Sequence, residues 1–283
     1  MSIVVTAATG HLGTLVVDEL LQRVPADQVV AVARNAEKAA PLADRGVEVR
    51  IADYNDEGAL AKAFGAGDTV LLISGLEPNR REQHRAVISA AREAGIARIA
   101  YTSALGGPAA DFDLAADHIA TEQAILDSGL PYTFLRNGWY NEVYTDQIPV
   151  QLAHGVAGSA GDGRIASASR RDFAAAAAVV LTGAGHENKA YELNGDTSFS
   201  LTEYAAELSG QSGKDVAYHN LSPAEHLQVL TGAGVPEQFA PILVDVDNAI
   251  ERGLLAGRGT DLSDLIGRPT TPIAETIAAA LKG

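Results

Sequence analysis

Gly10 and Gly13 stand three residues apart, after a β-branched run from Ile3 to Thr6 and at the start of a stretch, Leu12 to Val24, whose apolar residues Leu12, Leu15, Val16, Leu20 and Leu21 have helical spacing. In the stretch Thr6-Ala7-Ala8-Thr9-Gly10-His11-Leu12-Gly13, Gly10 lets the backbone approach a diphosphate and Gly13 lets the helix pack closely on the strand. The unpaired N–H groups and positive dipole end of that helix complete an anion site. A plain strand-to-helix turn is the alternative, but the position directly after a strand favours a dinucleotide-binding turn.

Which dinucleotide is decided by the end of the second strand. An NAD site carries Asp or Glu there, about twenty residues beyond the glycines, to accept from the ribose 2′-hydroxyl. This chain reads Val32-Ala33-Arg34-Asn35 instead. A guanidinium suits a 2′-phosphate, so NADPH is the expected cofactor, clamped by Arg34 with Lys38 nearby; a solvated surface arginine is the other reading. Asp53 and Tyr54 fall where a carboxylate would meet the adenine amino group and an aromatic would border the ring. Ser74, Gly75 and Leu76 end the fourth strand, at the crevice for ribose and diphosphate. Helix caps and turns explain Asp53 and the Ser-Gly pair equally well.

The elements that must position these residues alternate. Val29 to Ala33 reads as strand and leads into a helix from Asn35. Val47 to Ile51 leads to a helix from Asp56 through Phe64, and Thr69 to Ile73 leads to one from Arg80 through Ala94. Ile99 to Thr102 is a fifth strand, followed by helix from Asp117 to Asp127, strand from Tyr132 to Leu135, helix from Arg171 to Thr182 and strand from Ala190 to Asn194. Strands that are apolar throughout and alternate with helices predict an α/β fold, a doubly wound parallel sheet of Rossmann type. Residues 1–137 are read as the cofactor-binding core, completed by strand and helix within 165–195. Residues 138–283 are read as a smaller, mainly helical substrate lobe, interleaved with the core and set over the sheet's carboxyl edge. The stretch from Gly155 to Gly163 is read as irregular, and Pro269 to Gly283 as a capping helix.

The 283 residues carry a formal net charge of −15, are 47% hydrophobic and include no cysteine. The size suits one large domain or a core with a lobe. The charge repels phosphate backbones and anionic headgroups, which argues against nucleic-acid and membrane partners. Without a leader-like start or a long apolar run, the expected compartment is the cytoplasm. No Gly-x-Ser-x-Gly elbow occurs, Gly213-Lys214 lacks the rest of a P-loop, and the histidines show no paired metal-ligand spacing, so neither a metal nor a flavin is expected. A helical surface in the lobe would suit a homodimer contact.

Several stretches resemble the NmrA-like atypical short-chain dehydrogenases, of the quinone oxidoreductase 2 and triphenylmethane reductase type. They are Ala8-Thr9-Gly10-His11-Leu12-Gly13, Val24 to Gln28, Arg34-Asn35, Ala52-Asp53-Tyr54, Leu72-Ile73-Ser74, Ala100 to Ser103, Asp117 to Glu122, Tyr132 to Tyr140, Gly185 to Lys189 and Leu265 to Pro269. The resemblance implies that Asn137, Gly138, Trp139 and Tyr140 line the nicotinamide and substrate pocket, and that Arg170, in Ser169-Arg170-Arg171, faces the cofactor. Core packing for Trp139 and Tyr140, and a structural ion pair for the arginines, are the competing readings. The chain departs from the family at Ala7, where the family has its first glycine; either the local dihedral angles suit alanine or cofactor affinity falls.

The resemblance also bears on chemistry. Carbonyl-reducing short-chain dehydrogenases use a tyrosine and, four residues later, a lysine that lowers its pKa. Aligned on Glu122, those positions hold Leu114 and His118. Without the acid pair, a quinone is favoured as acceptor, because hydride addition gives a delocalised hydroquinone anion that water can protonate; a triarylmethyl cation needs no proton at all. His118 is expected to hold the nicotinamide ribose or to face solvent, with Asn137 and Tyr140 beside the acceptor. Two readings stay open: an NADP(H)-responsive regulator that does no chemistry, and a carbonyl reductase using Tyr101 or Tyr144 as its acid.

Overall fold

The computed structural model describes residues 2–282. The elements run β1 (Ile3–Val5), α1 (His11–Leu20), β2 (Val29–Ala33), α2 (Ala36–Ala43), β3 (Glu48–Ile51), α3 (Glu57–Leu60), β4 (Thr69–Leu72), α4 (Arg80–Ala94), β5 (Arg98–Ala104), α5 (Asp113–Ser128) and β6 (Tyr132–Asn137). They continue as α6 (Glu142–Thr145), α7 (Ile148–His154), β7 (Val156–Gly158), α8 (Arg170–Thr182), β8 (Lys189–Leu193), α9 (Leu201–Ser212), β9 (Tyr218–Asn220), α10 (Pro223–Gly232), α11 (Ala240–Glu251), α12 (Asp261–Ile266) and α13 (Ile273–Ala280).

Seven strands form one sheet in the order β3-β2-β1-β4-β5-β6-β8. The pairs β1 with β2 and β4, β2 with β3, and β5 with β4 and β6 are all parallel. The chain builds outward from β1 to β3, then returns to β4 on the other side of β1. That reversal opens the crevice beyond the carboxyl ends of β1 and β4 where dinucleotides bind in such sheets. Val4, Val30, Val32, Val70, Leu72, Ile99 and Tyr101 form a continuous buried layer with residues of α3, α4 and α5. The doubly wound fold read from the sequence is the one observed.

Two compact units are present. The first comprises Met1–Gly107, Asp117–Asn137 and Arg170–Tyr191, and the second Pro108–Ala116, Gly138–Ser169 and Glu192–Gly283. In the second, helices dominate, but the stretch expected to be irregular holds β7, which pairs in parallel with β9. At three residues each, and without the β-branched run that marks β1, β7 and β9 give no strand signal in the sequence.

Three helices are shorter than expected. Helix α1 stops at Leu20 because Val24 precedes Pro25, and the residue before a proline disfavours helical geometry. Helix α3 begins at the cap Asp56, whose side chain accepts from Ala59 N, but gives way to turns ahead of Gly65 and Gly67. The expected capping helix spans only Ile273–Ala280, after Pro269 and Pro272; Gly283 lies outside the described residues. No described helix is long and apolar enough to cross a membrane.

Candidate active site

In the first unit, the carboxyl ends of the strands gather the residues expected to meet a cofactor. Thr6 ties β1 to β4: its hydroxyl donates to Leu71 O at 3.0 Å and accepts from Ile73 N at 3.1 Å. The Tyr54 hydroxyl donates to Thr6 Oγ1 and lies 3.0 Å from Ile73 O, which fixes the residue that was expected to border adenine. Asp53 is engaged locally, its Oδ1 accepting from the backbone and the side-chain amide of Asn55, both at 2.9 Å.

The glycine turn follows β1. Gly10 N donates to Ala7 O at 2.9 Å, and Gly10 and His11 are exposed at the start of α1, whose first N–H groups have no side-chain cap. Buried Leu12 anchors that first turn, while Thr9 stays half-exposed. A Cβ on Gly13 would stand 2.3 Å from Ala7 O and 2.8 Å from Ala8 Cα, so only glycine fits there. Ala7 has φ +47°, in the left-handed region, so its methyl carries the strain the family's glycine avoids. Free N–H groups, a dipole end and a close glycine approach fit a dinucleotide diphosphate.

Arg34, exposed after β2, does not stand alone. Its Nη1 lies 3.0 Å from Oε1 of Glu77, a residue of the loop between β4 and α4. In the same loop Ser74 N donates to Thr102 Oγ1 at 2.9 Å, Gly75 N donates to His84 Nε2 at 3.1 Å, and Leu76 is exposed. Since His84 accepts through Nε2, its ring proton sits on Nδ1, 2.9 Å from Thr121 Oγ1. Burial, helped by the nearby Arg80 charge, holds His84 down to about 4.

His118 lies on α5 with Nδ1 at 2.8 Å from the Tyr101 hydroxyl. Burial, and then its neighbours His84 and the Arg80 guanidinium, pull it down to about 3, so the imidazole is neutral at pH 7. Burial drives the Tyr101 and Tyr144 hydroxyls the other way, above the ordinary phenol value. Neither tyrosine is the lowered-pKa acid that carbonyl reduction needs.

Asn137 closes β6, its carbonyl accepting from Leu105 N at 3.0 Å. The preceding Arg136 binds Glu122 through Nε and Nη2 at 2.9 and 2.8 Å, and Ser103 donates to the same carboxylate at 2.6 Å. Arg170 is half-buried at the start of α8, and Arg171 pairs with Glu19 at 3.3 Å, the structural ion pair weighed for this turn.

In the second unit, Gly138 N donates to Leu193 O at 2.7 Å, and Ala168 N donates to Trp139 O at 3.2 Å. Tyr140 forms a parallel bridge with Ala168, and both aromatics are half-buried. The segment is locked by buried Asn141, whose Oδ1 accepts from Ser167 Oγ at 2.6 Å and whose amide donates to Thr271 O and Thr276 Oγ1.

Glu77, His84 and Asn141 were missed by sequence reasoning. Each works through a partner distant in the chain, 43 residues away for Glu77 and 37 for the His84–Thr121 contact, and no local spacing signals that. Among the described residues no group of three His, Asp or Glu side chains forms a metal site.

A parallel sheet with a glycine turn at its switch point defines a dinucleotide-dependent protein, and the comparisons agree. The NAD(P)H-binding family matches residues 7–184, more than half of the chain, and the protein belongs to it. Quinone oxidoreductase 2 of Escherichia coli is 50% identical over 278 residues, which is 98% of this chain and 97% of that one. The crystal structure of the E. coli NADPH-dependent quinone oxidoreductase complexed with NADPH superposes with a TM-score of 0.96 at 49% identity, covering 99% of each chain. Citrobacter sp. triphenylmethane reductase complexed with NADP(H) gives 0.94 at 43%, over 99% of this chain and 100% of that one.

Proposed function

We propose that this protein is an NADPH-dependent oxidoreductase that delivers hydride directly to a quinone or a similarly electron-poor, delocalised acceptor. The observation that carries it is the 50% identity to quinone oxidoreductase 2 along 98% of the chain. Bound NADPH supplies a hydride, two electrons with one proton, and leaves as NADP⁺.

The chain's part is to bind, orient and exclude. Ala7, Thr9, Gly10, His11, Leu12 and Gly13 hold the diphosphate and Arg34 the 2′-phosphate; Asp53 and Tyr54 border the adenine, and Ser74, Gly75 and Leu76 the ribose and diphosphate path. Neutral His118 offers a ring N–H to the nicotinamide ribose, without delivering a proton to substrate. In the first unit Asn137 and Arg170 are assigned to the nicotinamide end; in the second Gly138 and Trp139 are assigned to the cofactor and Tyr140 to the acceptor, with the aromatics stacking on the acceptor ring. The second unit, which leaves Arg170–Tyr191 to the first and takes in Pro108–Ala116, supplies the substrate lobe. The quinone gains the hydride to become a hydroquinone monoanion, and water gives the remaining proton. Catalysis is then mostly positioning. A triphenylmethane dye cation is a second acceptor class, favoured by the 43% identity to the Citrobacter enzyme.

The test is cofactor oxidation, NADPH beside NADH, with a benzoquinone, a naphthoquinone, a triphenylmethane dye and a simple aldehyde. Quinone turnover with NADPH preferred and the aldehyde inert is expected. Turnover of no acceptor, with NADPH binding intact, would make the protein a cofactor-sensing regulator instead.

A further inference from the structure

The residue that meets Arg34 is an acid, and it comes from the loop after β4, the strand that flanks the switch point. Glu77 uses Oε1 for Arg34 Nη1 at 3.0 Å and Oε2 for the backbone N–H of Leu76 at 3.2 Å. Two residues on, Asn79 donates to Asn55 Oδ1 at 2.8 Å, so the β4–α4 loop is latched to the ends of both β2 and β3. A Cβ on Gly75 would come within 2.8 Å of Glu77 Oε2, so glycine leaves room for this carboxylate at the bend. The pair is exposed, the side chains being 69% and 39% accessible, and a pair of that kind contributes little and yields easily.

We propose that Glu77 is a specificity-determining residue that weakens NADPH binding by competing with the 2′-phosphate for Arg34. The inference rests on the Arg34 clamp proposed above. An NADP(H) site gains nothing from a carboxylate beside its phosphate clamp, since the phosphate must displace it and then sit next to its charge. A cofactor without the phosphate meets no such cost, because Arg34 keeps its partner. The Arg34–Glu77 pair therefore narrows the gap between the two cofactors, in a chain whose second strand lacks the acid typical of NAD sites.

The experiment titrates NADPH and NADH separately into wild type, E77Q and R34A at low salt, followed by protein fluorescence. E77Q is expected to tighten NADPH by about 2- to 5-fold, the scale of an exposed ion pair, with NADH unchanged within about twofold. The gain should shrink at high salt. Unchanged or weakened NADPH binding in E77Q, or equal tightening of both cofactors, would overturn the proposal. R34A separates the two readings: if it leaves the NADPH preference intact the clamp itself is wrong, whereas loss of preference in R34A without an effect of E77Q sinks only the role of Glu77.

Discussion

Arg136 and Glu122 meet as a bidentate pair, Nε and Nη2 on the two carboxylate oxygens, one residue before Asn137 at the end of β6. The Glu122 side chain is 4% exposed, and Ser103 of β5 donates to the same carboxylate. Gly107, at φ +49°, lies so close that a Cβ would stand 2.2 Å from the Arg136 guanidinium carbon, so the turn after β5 needs glycine on both grounds.

Removing one partner of this buried pair leaves the other charge stranded. Glu122→Ala is expected to destabilise the fold by about 3–5 kcal/mol. Denaturant unfolding measures it, and a loss under about 1 kcal/mol would mean that the pair is solvated.

The two glycine-turn positions should respond oppositely. Gly13→Ala drives a methyl into Ala7 O and Ala8 Cα and should cost several kcal/mol or prevent folding. Ala7→Gly relieves the strain at φ +47°, offset by the entropy of a more flexible unfolded chain, for a net gain of about 0.5–1 kcal/mol. A lower melting temperature for Ala7→Gly would refute this reading of the turn.

Acid should weaken the fold. His84 and His118 are held down to about 4 and about 3 when folded, against 6.5 in the unfolded chain, so below pH 6.5 the unfolded state binds the extra protons. Their contribution is full above pH 6.5 and is lost progressively as pH falls. Asp247 opposes this: burial raises it to about 6 from 3.8, and acidification through that window favours the folded state. Two depressed histidines outweigh one raised carboxyl, so thermal unfolding should occur at lower temperature at pH 5 than at pH 7. A His84→Gln variant, whose amide cannot titrate, should lose less stability across that interval; an equal loss would remove His84 from the account.

His118→Ala should lower kcat/KM by about 3- to 10-fold rather than abolish turnover, because a neutral imidazole that binds ribose contributes positioning alone. A kcat loss beyond about 100-fold with NADPH affinity intact is the scale of a general acid and would assign His118 that role. For the same reason kcat should show no His118 inflection between pH 5 and 8.

His118 and Asn137 were singled out by the family resemblance alone, whereas the sequence by itself determined the strand and helix alternation, the glycine turn and the place of Arg34 at the end of β2. These are local matters: apolar periodicity and backbone permissiveness act within a few residues. Asp56 and Asn35 could be read at their helix starts for the same reason, since each caps the backbone three residues on. Only the tertiary structure decided which charges meet. Glu77 lies 43 residues from Arg34 and Asp247 lies 88 from Ser159, so their contacts, and the raised carboxyl that burial produces at Asp247, depend on packing among distant segments. The shallow pairing of β7 with β9 is of the same kind: three residues in each strand hold no pattern until the chain brings them side by side.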